Sequence, residues 1–356
     1  VPNRLANADF ECGDGGYYEA LNSRGQTILL PNGWTLHDDG AVPFLSSARI
    51  AFEGKRGSCA TREKHVEKIS GDDSFYVSSL DIETPPEPGK PFDAAIYQQV
   101  TAITGTAYSL SGWMLTLCGG SNTNPKNDCP PDYYMAKLLG IDPTGGTDPL
   151  APSVVWRENR NNFVDENNDR IGWSNLYTSA RAEGDKITIF ARIDSPFRWH
   201  GNHGFIDALS LVEAPVAALE VTTATLEGSA GLSVTLTWDG SLGPDIPTIA
   251  GGNYELLYEV EYWHPANDEW RELQEGAEAP GSIQFAARCK GADYQFRVRA
   301  RAEQPEDQEG SWPNQRYRGV WSDPISVEVP NDSQPQPLPE GEQRLFLPIL
   351  AGSSGC

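Results

Sequence analysis

Three short stretches carry residue types that could do chemistry. FVDENNDRIGW sets Asp165, Asn167 and Asp169 at alternating positions, the spacing with which a loop offers oxygen ligands to calcium. Arg170 stands where an EF-hand loop needs Gly, and no Glu follows at the twelfth position, so a polar hairpin loop explains the run better. His200 and His203, in HGNH, could ligate a metal, but they fall in a loop rather than on a helix face. GIDPTGGTDP, from Gly140 to Pro149, has paired glycines without the G-x-x-x-x-G-K-[ST] phosphate cradle, and its surroundings are acidic. None of the five histidines accompanies G-x-S-x-G or H-E-x-x-H. With 50 acidic residues, chance carboxylate pairs are expected and do not by themselves mark a glycosidase. The chain therefore reads as non-catalytic.

Six cysteines, Cys12, Cys59, Cys118, Cys129, Cys289 and Cys356, form no C-x-x-C pair, which argues against zinc-ribbon and thioredoxin-like chemistry. In a secreted protein they can make three disulfides. Cys118 and Cys129 flank a polar loop and are the natural local pair; closing it would add about 3 kcal/mol in the chain-entropy picture. Cys12 with Cys59, and Cys289 with Cys356, are the pairings that remain, among the 15 connectivities that six cysteines allow.

Whatever these residues do, short strands must position them. The 356 residues include 35 Gly and 27 Pro, and no long window repeats with helical period. Runs such as SARIAFEG, SFYVSSL, AAIYQQVTAI, AYSLSGWMLTL, MAKLLGI, SVVWRE, SNLYTSARAE, KITIFARI and FIDALSLVE are strand-like, with turn residues between them, and RLANADFE is read the same way. The expectation is an all-β chain. Its net charge of −23 disfavours nucleic acid and anionic lipid as partners and suits hard cations. No apolar run approaches 18 residues, so no spanning helix is expected. Val1 in place of Met is what removal of a secretory signal would leave, and a secreted, extracellular or cell-surface location is expected.

From Val1 to Ala214 the order NADFE, NGW, YQQVTAITGTAYSLSGWM, ARAEGDKITIFARI and FIDALSLVE resembles the jelly-roll carbohydrate-binding modules found beside bacterial glycoside hydrolases. The resemblance implies a jelly-roll β-sandwich over 1–214. It also implies a structural calcium, shared by an acidic residue of the first strand, Asp9 or Glu11, and Asp207 of the last. Glycan sites of this class use aromatic faces, for which Tyr133, Tyr134, Trp156, Trp173 and Trp199 are candidates. Trp113 alternates with core-like residues and is expected inside.

From Pro215 to Pro330, LSVTLTW, YEVEYWHPANDEWREL, YQFRVRARA and GVWSDPISVEV resemble a fibronectin type III domain, an immunoglobulin-like sandwich. Trp238 matches that family's buried tryptophan, and Tyr294 the tyrosine whose hydroxyl ties a corner to the backbone. Two loops, DGSLGPDIPTIAGGN and EQPEDQEGSWPNQRYRG, are longer than the pattern requires, and the second could be a contact surface. A linker over 331–343 precedes an apolar tail over 344–356, in which Leu345, Phe346, Leu347, Ile349 and Leu350 surround Pro348. This reads as an ordered edge or added strand rather than a membrane anchor, able to dock by strand addition. The expected function is a structural or adhesive subunit of an extracellular assembly (filament, tube or sheath) that binds copies of itself or cell-surface components. The alternative is a glycan-binding accessory protein of polysaccharide recognition or degradation.

Overall fold

The computed structural model describes residues 3–11, 16–21, 27–37, 48–50, 69–71, 73–79, 92–121, 124–125, 129–160, 173–195, 202–225, 231–248, 253–278, 281–287, 289, 291–304 and 315–330. Asp165, Asn167, Asp169, Trp199, His200, Cys12, Cys59, Cys356, the linker and the tail residues Leu345, Phe346, Leu347, Ile349 and Leu350 lie outside them. Among the described residues every element is a β-strand except one 3-10 turn, Ile246–Thr248, and no helix is long and apolar enough to cross a membrane.

The chain forms two compact units. The first takes Val1–Ala214 together with Gly243–Tyr254 and Glu303–Arg318, so parts of both long loops belong to it. It has two five-stranded antiparallel sheets, the double-sheet plan of a jelly roll. One sheet runs Val155–Asn159, Ala136–Asp142, Lys186–Ser195, Phe92–Thr101, Thr35–Leu36. The other runs Ser174–Arg181, Ala107–Cys118, Asn202–Glu213, Phe75–Ser79, Ala48–Ile50. Their facing sides share one core, which includes Ile187, Ile189 and Ile193 from the first sheet and Tyr108, Leu110 and Met114 from the second. Alternation explains the choice, because every second side chain of a strand points to the same face.

The second sheet is apolar on its other face as well. Trp113, Leu115 and Leu117 form a separate cluster there with Tyr76, Trp173, Phe205 and Ala208. This is why AYSLSGWMLTL is buried along its whole length, its polar members Ser109, Ser111 and Thr116 included. Farther along the same face, Ser109 and Ser111 receive the segment Gln315–Arg318. Ser111 Oγ donates to Gln315 Oε1 (2.6 Å), Arg318 N donates to Ser109 Oγ (2.9 Å), and Tyr317 OH donates to Ser210 Oγ (2.8 Å). Gln315 Nε2 donates to the Ala208 carbonyl (2.7 Å).

The run RLANADFE differs from the strand expected of it. It is a turn followed by irregular chain, with Asn7 and Phe10 at φ 45° and 54°. It lies on the closing strand through isolated bonds, Arg4 N to Leu211 O (3.1 Å) and Leu209 N to Ala8 O (3.0 Å), rather than through a ladder. Two strands without an expectation, Tyr17–Leu21 and Thr27–Pro31, make a hairpin.

The second unit, described over parts of 215–242 and 255–302 and over 319–330, is a further antiparallel sandwich. Val216–Thr225, Leu232–Ser241 and Gly281–Ala287 form one sheet; Glu269–Glu278, Glu255–His264 and Asp293–Glu303 belong to the other, with Ile325–Glu328 pairing Asp293–Glu303. Trp238 is buried in its core beside Val234, Tyr258 and Phe296. Tyr294 OH accepts a bond from Cys289 N (3.3 Å), tying its corner to the backbone. On the sheet's other side Arg297 lies over Trp270 and Trp321, at 3.9 and 4.3 Å from the ring centroids, and pairs with Glu261 at 2.5 Å. A disulfide joins Cys118 to Cys129, and Cys289 is disulfide-bonded.

Candidate functional site

The face of the first sheet turned away from its core carries aromatic rings beside charged groups. In the strand Lys186–Ser195 the inward phase is apolar, whereas the outward phase reads Thr188, Phe190, Arg192, Asp194. Register lines these up with neighbours on the adjacent strands. One row runs Trp156, Gly140, Phe190, Tyr97 and Thr35 across all five strands. Its rings stand 5.8 Å apart (Trp156 to Phe190) and 5.9 Å apart (Phe190 to Tyr97), within the range of favourable tilted aromatic pairs. Gly140 leaves the space that Trp156 fills, since a Cβ there would lie 2.6 Å from the indole. Phe190 is the buried floor, while Trp156 and Tyr97 remain half-buried.

The next row brings Glu158, Leu138, Arg192 and Ala95 together. Arg192 makes a two-pronged pair with Asp93, at 2.9 and 2.7 Å, and its guanidinium lies 6.0 Å from the Trp156 ring. Burial pushes the Asp93 carboxyl up to about 6, although Arg192 pulls it the other way. Asp194, opposite Asp93 in register, is also raised by burial. At the edge Arg160 pairs with Glu158 and lies 5.0 Å from the half-buried Tyr134 ring. The face thus offers aromatic planes beside fixed donors and acceptors, which can stack on a sugar ring and orient its hydroxyls.

Of the aromatic candidates, Trp156 and Tyr134 lie on this face. Tyr133 packs partly into the core, and Trp173 is buried in the cluster on the other sheet, where it presents no open ring to a ligand. Trp113 sits in the same cluster. Tyr97, Phe190, Arg192, Asp93, Asp194 and Glu158 were not legible as site residues. The available signal was the outward phase of KITIFARI, in which Phe and Arg replace the small polar residues of a merely solvated face.

The acidic residues near the N-terminus converge on another place. Asp207 is fully buried. Its Oδ2 accepts bonds from Ile69 N and Ser70 N (2.9 Å each), and its Oδ1 from Ala208 N (2.7 Å). The strand bulges just past it, with Ala208 at φ 49°. Glu11 Oε1 accepts from Asp73 N (2.9 Å), and a side chain at Gly71 would run into its carboxylate. Asp207 and Glu11 therefore grip the same short segment, 69–73, for which sequence held no clue. Burial, and secondarily the charge of Asp9, push the Asp207 carboxyl up to about 8, against the pull of the three backbone bonds. Among the described residues no three His, Cys, Asp or Glu side chains gather as a metal cage. A buried carboxylate that feels the charge of Asp9, with one lone pair left after three N–H bonds, still suits a hard cation completed by backbone oxygens. His203, considered with His200, is buried in a strand with its Nδ1 2.7 Å from Tyr76 OH.

No family model matches the chain, and no curated protein matches it. Solved structures similar to it include the carbohydrate-binding module TmCBM61 in complex with β-1,4-galactotriose, at 16% identity over 59% of this chain and 98% of that one, with a TM-score of 0.31. The adhesin domain of Epf from Streptococcus pyogenes is 10% identical over 74% of this chain and 79% of that one, with a TM-score of 0.23. A β-glucuronidase from Bacteroides uniformis is 10% identical over 67% of this chain and 26% of that one, with a TM-score of 0.21. At this similarity the matches do not identify what the chain binds.

Proposed function

We propose that the protein is a non-catalytic, secreted glycan-binding protein of the extracellular or cell-surface milieu, built from a carbohydrate-binding jelly roll and a fibronectin type III-like sandwich. The observation that carries this reading is the Trp156–Phe190–Tyr97 row, flanked by the Arg192–Asp93 pair on an outer sheet face. A neutral polysaccharide is the favoured ligand class, because Asp93, Asp194 and Glu158 surround the row and the chain carries net charge −23. Disulfide-bonded cysteines fit an oxidising compartment. Binding to a panel of neutral plant and bacterial polysaccharides, measured by affinity electrophoresis, tests it. Retardation by at least one glycan, lost in Trp156→Ala, is expected; no retardation by any would end the reading. Turnover of a bound glycan that disappears in Asp93→Asn would replace it with a glycosidase.

In this reading calcium is structural, and Asp9, Glu11 and Asp207 hold it, linking the N-terminal segment to the closing strand and to residues 69–73. The ion would supply the positive charge that the backbone donors around Asp207 provide only in part. Self-assembly through the apolar tail is a further property we assign from sequence alone. Electron microscopy of the concentrated protein, with and without calcium, is its test, and strictly monomeric particles in both conditions would remove it.

A further inference from the structure

On the same outer face, the register row on the far side of the aromatic one from Arg192 contains two oxygens sealed from solvent with nothing to bond. Asp142 and Thr188 are cross-strand partners, and both are fully buried. Asp142 Oδ1 accepts from Thr144 N (2.9 Å) and Thr144 Oγ1 (2.7 Å), but Asp142 Oδ2 and Thr188 Oγ1 have no hydrogen-bond partner. Facing side chains of an antiparallel pair have Cβ atoms about 5 Å apart. The two side chains thus stand side by side on one face, yet their oxygens do not bond each other.

The loop that follows Asp142 closes over the gap. Gly145, at φ 76°, donates its N–H to Asp142 O (3.2 Å), and its carbonyl accepts from Gln99 Nε2 (2.8 Å). A Cβ on Gly146 would stand 2.6 Å from Asp142 Oδ2, so the loop backbone comes down onto the carboxylate. Gly145-Gly146 thus serves close backbone approach to an acidic group, the opposite of a phosphate cradle. A buried carboxylate oxygen without a donor or counter-charge is strongly unfavourable. The atoms offered are a carboxylate and a hydroxyl, both hard oxygen ligands of the kind calcium takes. In the loop, the carbonyls of Pro143, Gly145 and Thr147 already accept from Glu183 N, Gln99 Nε2 and His37 Nδ1.

We propose that Asp142 Oδ2 and Thr188 Oγ1, with the Thr144 and Gly146 carbonyls of the loop that follows Asp142, hold a calcium ion that pins this loop to the sheet. The site is distinct from Asp9, Glu11 and Asp207. Calcium titration calorimetry on the full-length chain, stripped with chelator, counts the sites. Asp142→Asn is expected to bind one calcium fewer than the parent chain, whatever other sites contribute. Thr188→Val, which keeps side-chain shape, is expected to weaken that same site about tenfold or more, by loss of one bond to a charged group. Asp207→Asn is expected to leave this site's affinity unchanged. Equal calcium counts and affinities in the parent chain, Asp142→Asn and Thr188→Val would overturn the proposal and assign the gap to a bridging water.

Discussion

Lys137 is fully buried on the core side of the Ala136–Asp142 strand, opposite Ile193, and its Nζ donates to Thr116 Oγ1 at 3.4 Å. Burial lowers its ammonium to about 7. Above about pH 10.5 neither the folded nor the unfolded chain is charged there, and burial of the charge costs nothing. Between about 7 and 10.5 the unfolded chain holds a proton that the folded one has released, so stability falls as pH falls, by about 1.4 kcal/mol per unit. Below about 7 both are protonated and the cost is constant, about 5 kcal/mol at its ceiling. Lys137→Met keeps the length of the chain and removes the charge. Allowing about 1 kcal/mol for the lost bond to Thr116, the variant should be more stable than the parent by about 3–4 kcal/mol at pH 7. Near pH 9.5 that advantage should shrink to near zero. Urea unfolding of both proteins at both pH values measures this, and groups that titrate alike in the two proteins cancel in the difference. An equal change at both pH values, or a destabilised variant at pH 7, would refute the reasoning.

Trp156→Ala should weaken binding of the cognate glycan by about 10- to 100-fold, the loss of one stacking platform worth roughly 1–3 kcal/mol, with an unchanged far-ultraviolet spectrum; calorimetry checks it. Gln315→Ala strips partners from Ser111 and from the Ala208 carbonyl, and should lower unfolding stability by about 1–3 kcal/mol in denaturant titration. Tyr294→Phe leaves Cys289 N without its acceptor and should cost about 1–2 kcal/mol by the same measurement. Arg192→Ala leaves Asp93 buried without its cation and raises its carboxyl further; a loss of about 3 kcal/mol is expected at alkaline pH, shrinking as the pH falls towards 6, below which Asp93 is protonated in both proteins.

Much of the fold was legible because period-2 alternation is a local property. KITIFARI and YQFRVRARA announce both their strands and their inward faces, and Trp238 and Tyr294 were readable as core and corner. RLANADFE misled because its apolar residues do pack inward, but on turns opened by Asn7 and Phe10 rather than on a pleat. Trp173 misled because an aromatic beside a loop looks exposed until the sheet it covers is known.

The candidate site was hardly legible, for a physical reason. Trp156, Phe190 and Tyr97 come from three strands far apart in sequence and become neighbours only through register. Asp142 and Thr188 likewise gain meaning only when their oxygens are found sealed together. Sequence by itself determined the all-β character, the acidic surface and the local Cys118–Cys129 bridge, since composition, alternation and short loops act over a few residues. Tertiary structure alone decided which aromatic stays open, which carboxylate is buried, and that Gln315 and Tyr317 complete the first unit, because burial and pairing depend on partners that strand order brings together.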